Sequence, residues 1–268
     1  MKKILLITIM LLSFITLAGC SRDETVLRVG MDLKYPPFET LDGDTPEGIS
    51  VEVAKALGRY LNRKVEIVNT NFISLIPSLQ SNEIDVVIAS MSITDERKKF
   101  VEFSDPYFFF KIISLVNQSF ATANGLTEDS TVEDLLAIKD VKYIGLASQV
   151  STTIPASYNK NVIQATSLAT AIESISQGTA DVLLMSANPV ADGYRANKST
   201  TMILWAPFES SPIGMAFNKK DTALVEKANE FIATLSEENG LYNRLKNEFD
   251  ALIKERLVRY GLEFYINE

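Results

Sequence analysis

An α/β chain folded as two similar lobes is what this sequence predicts, and three features predict it. Short apolar runs rich in β-branched residues, at 65–68 and 86–89, are too short for helices and read as buried strands. Between them lie stretches with helical spacing, such as 51–61, where Val53, Ala54, Leu57 and Leu61 share one face. The third feature is an internal echo. Residues 76–90 (IPSLQSNEIDVVIAS) and 172–186 (IESISQGTADVLLMS) both read as helix, polar turn, aspartate, apolar strand and closing serine. Residues 26–32 find a similar echo in 141–147. The period is far longer than a solenoid repeat, which makes this two lobes rather than an array.

Taken in order, residues 26–31 alternate as a strand and run into Asp32 and the stiff turn Tyr35-Pro36-Pro37-Phe38. Helix 51–61 and strand 65–68 follow, then Asn71 and Phe72, then a short helix over 73–79 with Pro77 near its first turn. The strand at 86–89 ends in the small hydroxyl residues Ser90 and Ser92, after which Thr94-Asp95-Glu96-Arg97 opens a charged segment. Open α/β sheets bind ligands at the carboxyl ends of their strands, and an arginine just past such an end can clamp a carboxylate with two hydrogen bonds. The same residues also allow a plainer arrangement, with Thr94 capping a helix and Arg97 paired to Asp95 or Glu96 on its surface. Residues 107–116 make an apolar exit strand. Residues 201–217 read as a strand, a crossing and a further strand. Crossings near 107–112 and 207–213 would form a two-segment hinge. Helices over 221–235 and 241–259 close the chain, the second with Leu245, Phe249, Leu252, Ile253 and Leu257 at helical spacing.

The amino terminus predicts export. Lys2 and Lys3 precede a short apolar run over 4–18, then Leu17-Ala18-Gly19-Cys20, which has the form of a signal peptide over 1–19 rather than a membrane span. Cys20 is the only cysteine, so no disulfide partner exists for it, and residues 20–25 read as a polar tether. The net charge of −8 argues against nucleic acid and anionic lipid as partners, and losing Lys2 and Lys3 makes the mature chain more acidic still. The chain contains no histidine, which removes the usual general base, a Ser-His-Asp triad and ordinary zinc or copper sites. No catalytic residue, cofactor or metal is expected.

Three ordered motifs carry a specific resemblance: Gly30-Met31-Asp32-Leu33-Lys34-Tyr35-Pro36-Pro37-Phe38, Met91-Ser92-Ile93-Thr94-Asp95-Glu96-Arg97 and Phe103-Ser104-Asp105-Pro106-Tyr107. Over residues 27–249 the chain resembles the polar amino-acid-binding proteins of ABC importers, such as the glutamine-binding and lysine/arginine/ornithine-binding proteins. Leu17-Ala18-Gly19-Cys20 likewise resembles the bacterial lipobox, whose cysteine is lipidated. The resemblance implies a periplasmic-binding-protein-like, "venus flytrap" fold of type II, with lobe 1 at 26–110 plus 208–268 and lobe 2 at 111–207. It implies a monomer, anchored outside the cell membrane by lipid on Cys20, that delivers an amino acid or related carboxylate to ABC permease subunits.

By the same resemblance Arg97 would hold the ligand's carboxylate, Ser90 and Ser92 its amino-acid moiety, and Asp32 its side chain. Tyr35 and Phe72 would flank it, while Ser151 and Thr152 open a helix whose free N–H groups suit a carboxylate. Two departures stand out. Ser186 occupies the place of an aspartate that binds the α-ammonium, and Ser148-Gln149-Val150-Ser151 replaces a Gly-Thr turn. Either Asp32 supplies the missing charge or the ligand lacks an α-ammonium. Residues 253–268 extend past the family's usual end. Two other functions share the fold: a cyclohexadienyl-dehydratase-like enzyme, for which only Asp32 and Glu209 offer acids, and a ligand-sensing module docking a separate receptor.

Overall fold

The computed structural model describes residues 25–147, 149–257 and 259–267; the signal segment, Cys20 and Ser148 lie outside the described residues. The first sheet has strand order β4-β1-β5-β12-β6. Its strands are β1 (Val26–Met31), β4 (Lys64–Asn69), β5 (Val86–Val87), β6 (Glu102–Phe103) and β12 (Ala216–Phe217). β1 alternates at its start, with Val26 and Arg28 only partly buried, and is fully buried from Val29 to Met31. Leu27, Val29 and Met31 join Val53, Ala54 and Leu57 of helix α1 (Ile49–Tyr60) in one cluster. On the opposite face a Cβ at Gly30 would meet Ile84 at 2.4 Å and Leu75 at 3.0 Å. Leu75 and Leu79 come from α2 (Leu75–Gln80), so helices cover both faces of the sheet. α1 starts sharply because Gly48 takes φ 113°, where a side chain would run into the Phe38 carbonyl at 2.5 Å.

The second sheet has order β11-β7-β10-β8-β9, with β7 (Phe108–Asn117), β8 (Tyr143–Leu146), β9 (Val162–Ala165), β10 (Val182–Ser186) and β11 (Thr201–Ile213). In each sheet the first strand of a repeat lies between two parallel neighbours: β4-β1-β5 in one, β9-β8-β10 in the other. The echoed aspartates explain the match. Asp85 accepts the Arg28 backbone N–H at 2.6 Å, and Asp181 accepts that of Lys142 at 2.8 Å. Each carboxylate thereby fastens the third strand of its lobe to the start of the first.

β7 and β11 pair antiparallel from Asn117/Thr201 to Phe108/Ile213, with a register shift between Leu204 and Glu209. Their far ends reach the first sheet, where Ser92 forms a bridge with Ile213. Several local expectations change. The strand at 86–89 is regular only over Val86–Val87, and the helix expected at 73–79 is a 3-10 turn (Phe72–Ser74) followed by α2. At the crossings the chain is strand: Phe108–Ile112 pairs with Glu209–Ile213, so β7 and β11 satisfy each other's backbone there. The hairpin of β2 (Thr40–Asp42) and β3 (Thr45–Glu47) is additional.

The remaining helices are α3 (Asp95–Lys98), α4 (Gln118–Ala123), α5 (Val132–Ala137), α6 (Val150–Ser157), α7 (Leu168–Gln177), α8 (Ala187–Ala196), α9 (Thr222–Ala233), α10 (Leu241–Leu257) and α11 (Glu263–Ile266). Among the described residues no helix is long and apolar enough to cross a membrane.

Candidate ligand-binding cleft

The carboxyl ends of β1, β5 and β10 deliver Asp32, the 90–97 segment and Ser186. Arg97 lies in α3, a single turn capped by Thr94, whose hydroxyl accepts the Arg97 N–H at 3.3 Å. The cap is therefore present as the sequence allows, but the surface ion pair is not. Asp95 and Glu96 pair instead with Lys98 and Lys99 three residues on. Among the described residues Arg97 has no acidic partner. Its guanidinium donates to the Ser92 carbonyl at 2.8 Å and lies 5.2 Å from the Phe72 ring centroid. Burial pulls its pKa below the usual arginine value. A half-buried guanidinium without a counter-ion has donors left over that suit an anion.

Asp32 stands near Phe72, accepting the Phe72 N–H at 3.0 Å through Oδ2. Its Oδ1 is buried without a hydrogen-bond partner, and the exposed Lys34 ammonium is 3.8 Å away. The neighbourhood thus offers, among the described residues, a cation without an ion pair and a carboxylate oxygen without a hydrogen bond, beside one aromatic ring. Ser92 holds the floor, receiving a hydrogen bond from the Ser211 hydroxyl at 2.9 Å. Ser90 adopts φ 50°, a left-handed conformation, and donates to Glu39 Oε2 at 3.1 Å.

Glu39 is a participant that sequence reasoning missed. It is 1 % exposed and also receives the Ser50 hydroxyl at 2.5 Å. Desolvation pushes its pKa up to about 8, against the two serine bonds, with the Asp32 charge adding to the rise. Its place right after Tyr35-Pro36-Pro37-Phe38 was the available signal; its burial under Ser50 and Ser90 was not.

Tyr35 is not simply a face for a ligand. Its hydroxyl meets the Ser186 hydroxyl at 2.8 Å, joining the two lobes across the cleft, while its ring lies 6.1 Å from both Phe38 and Phe110. The serine in the aspartate's place therefore has a partner of its own. Ser151 and Thr152 face inward: the Ser151 hydroxyl accepts the Leu146 N–H at 3.0 Å, and the Thr152 hydroxyl donates to the Leu146 and Gln149 carbonyls. Both are buried and tie the start of α6 to β8, where Gly145 lets the Ser151 carbonyl approach within 2.4 Å of a would-be Cβ. Their hydroxyls are engaged within the turn, and the Thr152 N–H is taken as well, by the Gln149 carbonyl at 2.9 Å. Glu209 sits in β11 opposite Ile112, exposed to solvent, with partial burial raising its pKa.

Comparison with known proteins agrees with this architecture. The sequence pattern of the bacterial extracellular solute-binding proteins, family 3, matches residues 27–250. The arginine-binding extracellular protein ArtP of Bacillus subtilis is 27% identical over 242 residues, covering 87% of this chain and 89% of its own. The L-arginine-binding protein of Pseudomonas aeruginosa is 27% identical over 259 residues, covering 93% and 96%. Among solved structures, an ancestral arginine-binding protein bound to arginine superposes with a TM-score of 0.64 at 28% identity, covering 85% of this chain and 98% of that one. With two lobes built on the same repeated strand order and a match over most of its length, the chain belongs to the bacterial extracellular solute-binding proteins, family 3.

Proposed function

We propose that this solute-binding protein captures an amino acid with a cationic side chain between its lobes and delivers it to an ABC permease. The observation that carries the reading is Arg97: desolvated, without an acidic partner, and set against Ser92 and Phe72. It is placed to receive a carboxylate. The Asp32 Oδ1, buried and without a hydrogen bond, favours a positive group elsewhere on the ligand, while Glu39 behind Ser90, its pKa raised by burial, stays protonated near pH 7 and adds no charge. The Bacillus and Pseudomonas relatives, both named as arginine-binding proteins, support this class. A ligand touching both lobes favours closure through its differential contacts, the ordinary population shift of a hinged receptor.

The test is thermal denaturation against L-arginine, L-lysine, L-glutamine, 4-guanidinobutyrate, which lacks the α-ammonium, and agmatine, which lacks the carboxylate. A ligand at a hundred times its dissociation constant adds about 2.7 kcal/mol to stability. L-Arginine or L-lysine should raise the midpoint and agmatine should not. Equal stabilisation by agmatine would remove Arg97 from its role. Stabilisation by 4-guanidinobutyrate but not L-arginine would show that Ser186 marks a ligand without an α-ammonium. Within this reading, Asp32→Asn should weaken cationic ligands by roughly tenfold or more while leaving neutral ones little changed, since it removes a partly buried carboxylate charge facing them. Uniform loss in calorimetric titrations would reduce Asp32 to a support for Phe72.

We also propose that residues 26–110 with 208–268 move as one body against 111–207, with the final residues touching both, and that the protein acts as a monomer without turnover. The enzyme and receptor-docking readings are not adopted: the relatives above are named as binding proteins, and the two acids the enzyme would need differ in setting, Asp32 beside the cleft and Glu209 exposed on β11. Cys20 is the proposed lipid anchor. Cys20→Ala should shift the protein from the membrane fraction to soluble or unprocessed forms, and continued labelling with a fatty-acid analogue would refute the anchor.

A further inference from the structure

The residues beyond the family match do not trail off the molecule. α10 leaves the first lobe, where it packs on α1, and the chain then runs along the second. Arg259 pairs with Asp129 at 2.9 Å, and Tyr260 and Phe264 stack with centroids 4.6 Å apart beside Trp205. The Asn267 carbonyl accepts from the Lys111 ammonium on β7 at 2.7 Å. Earlier, Arg256 reaches the Pro36 carbonyl on one side and Asp192 of α8 on the other, both at 3.4 Å. Between these anchors Tyr265 is 1 % exposed. Its hydroxyl donates to Asn188 Oδ1 at 2.5 Å, and its ring packs edge-on against Phe38 at 5.0 Å and Phe110 at 5.2 Å. Asn188 is itself buried, lies two residues beyond Ser186, and leaves its Nδ2 without a partner.

One side chain from the extension therefore touches the second lobe at Asn188, the hinge strand at Phe110, and the first lobe at Phe38, directly behind the Tyr35–Ser186 bond that closes the cleft. We propose that Tyr265 is a positioning residue for ligand binding, through which the carboxyl-terminal strap holds the lobes closed and sets how long a ligand stays. Opening moves Phe38 away from Asn188. Tyr265 cannot follow both, so one of its two contacts must break, and every opening event carries that cost. The strap contributes no group to the ligand and acts on the open–closed balance alone. It should slow release more than it affects capture.

The inference rests on the cleft being the binding site, but its first test needs no ligand. Small-angle X-ray scattering of the ligand-free protein should give a larger radius of gyration for Tyr265→Phe than for wild type, because the variant keeps the ring and loses only the Asn188 bond. Stopped-flow measurements with L-arginine as probe should show the dissociation rate rising roughly tenfold, the scale of one buried hydrogen bond, with the association rate little changed. Arg259→Ala, at the exposed end of the strap, should move both readouts in the same direction by less. Unchanged scattering and dissociation in Tyr265→Phe would overturn the proposal, as would equal changes in both rates or a lowered melting point with neither readout moved. If wild type fails to bind L-arginine, the ligand reading falls while the scattering comparison still decides the strap.

Discussion

Replacing Arg97 with glutamate should reduce ligand affinity at least a hundredfold while leaving the empty protein folded. Truncating one member of a desolvated charge pair costs about 2–5 kcal/mol, and reversing its sign adds repulsion of a carboxylate by a carboxylate. The empty protein should behave differently. Arg97 makes one side-chain hydrogen bond, to the Ser92 carbonyl, and among the described residues it has no ion pair to lose. Arg97→Ala should therefore change ligand-free stability by only about 1 kcal/mol, since the lost bond is offset by relief of an uncompensated buried charge. Calorimetric titration and ligand-free melting of the two variants together separate a receptor from a structural arginine. A large loss of ligand-free stability with retained affinity would place Arg97 in the scaffold instead.

The sequence made Arg97 legible because the relevant signals are local. A short apolar strand, hydroxyl residues at its end and an arginine a few positions on all lie within one stretch. The choice between a clamp and a surface pair depended on which lysines the neighbouring acids would select. Lys98 and Lys99 take Asp95 and Glu96 at the favourable three-residue spacing. The duplicated lobes were legible for a similar reason: Asp85 and Asp181 sit just before their strands, and each binds the start of the strand beside it.

What stayed hidden depends on contacts distant in sequence. The Tyr35 hydroxyl finds Ser186 across the cleft, 151 positions away, and no periodicity announces such a pairing. The Ser151 and Thr152 hydroxyls close the turn after β8, contacts set by the fold of that turn rather than by any periodic pattern. Residues 253–268 carry no local signal of their contacts because their apolar side chains are matched to surfaces elsewhere, Trp205 for Tyr260 and Phe38 for Tyr265. Glu39 belongs to the same class, as a charge-bearing residue whose burial is created by Ser50 of α1 and by Ser90.

Glu39 yields the second large effect, a loss of stability as pH rises. Its carboxyl titrates near 4.5 when free and near about 8 in the folded protein, so the folded state holds an extra proton throughout that interval. Stability from this group is fully present below pH 4.5 and is lost progressively as pH climbs through 8, where burial must be endured by a carboxylate. A gap of this width corresponds to about 5 kcal/mol, or on the order of 10–20 °C in melting midpoint for a chain of this size. Glu39→Gln keeps an oxygen to accept from Ser50 and Ser90 and carries no charge. The variant should match wild type near pH 5, exceed it at pH 8.5, and flatten the profile between. A wild-type slope retained in the variant would assign the pH dependence to another group. The ligand enters the same linkage. A cation that neutralises Asp32 removes one cause of the raised Glu39 pKa, so binding near pH 7.5 should release protons. Titration calorimetry in buffers of different ionisation enthalpy would count them, and in Glu39→Gln that release should vanish while a carboxylate still binds at Arg97.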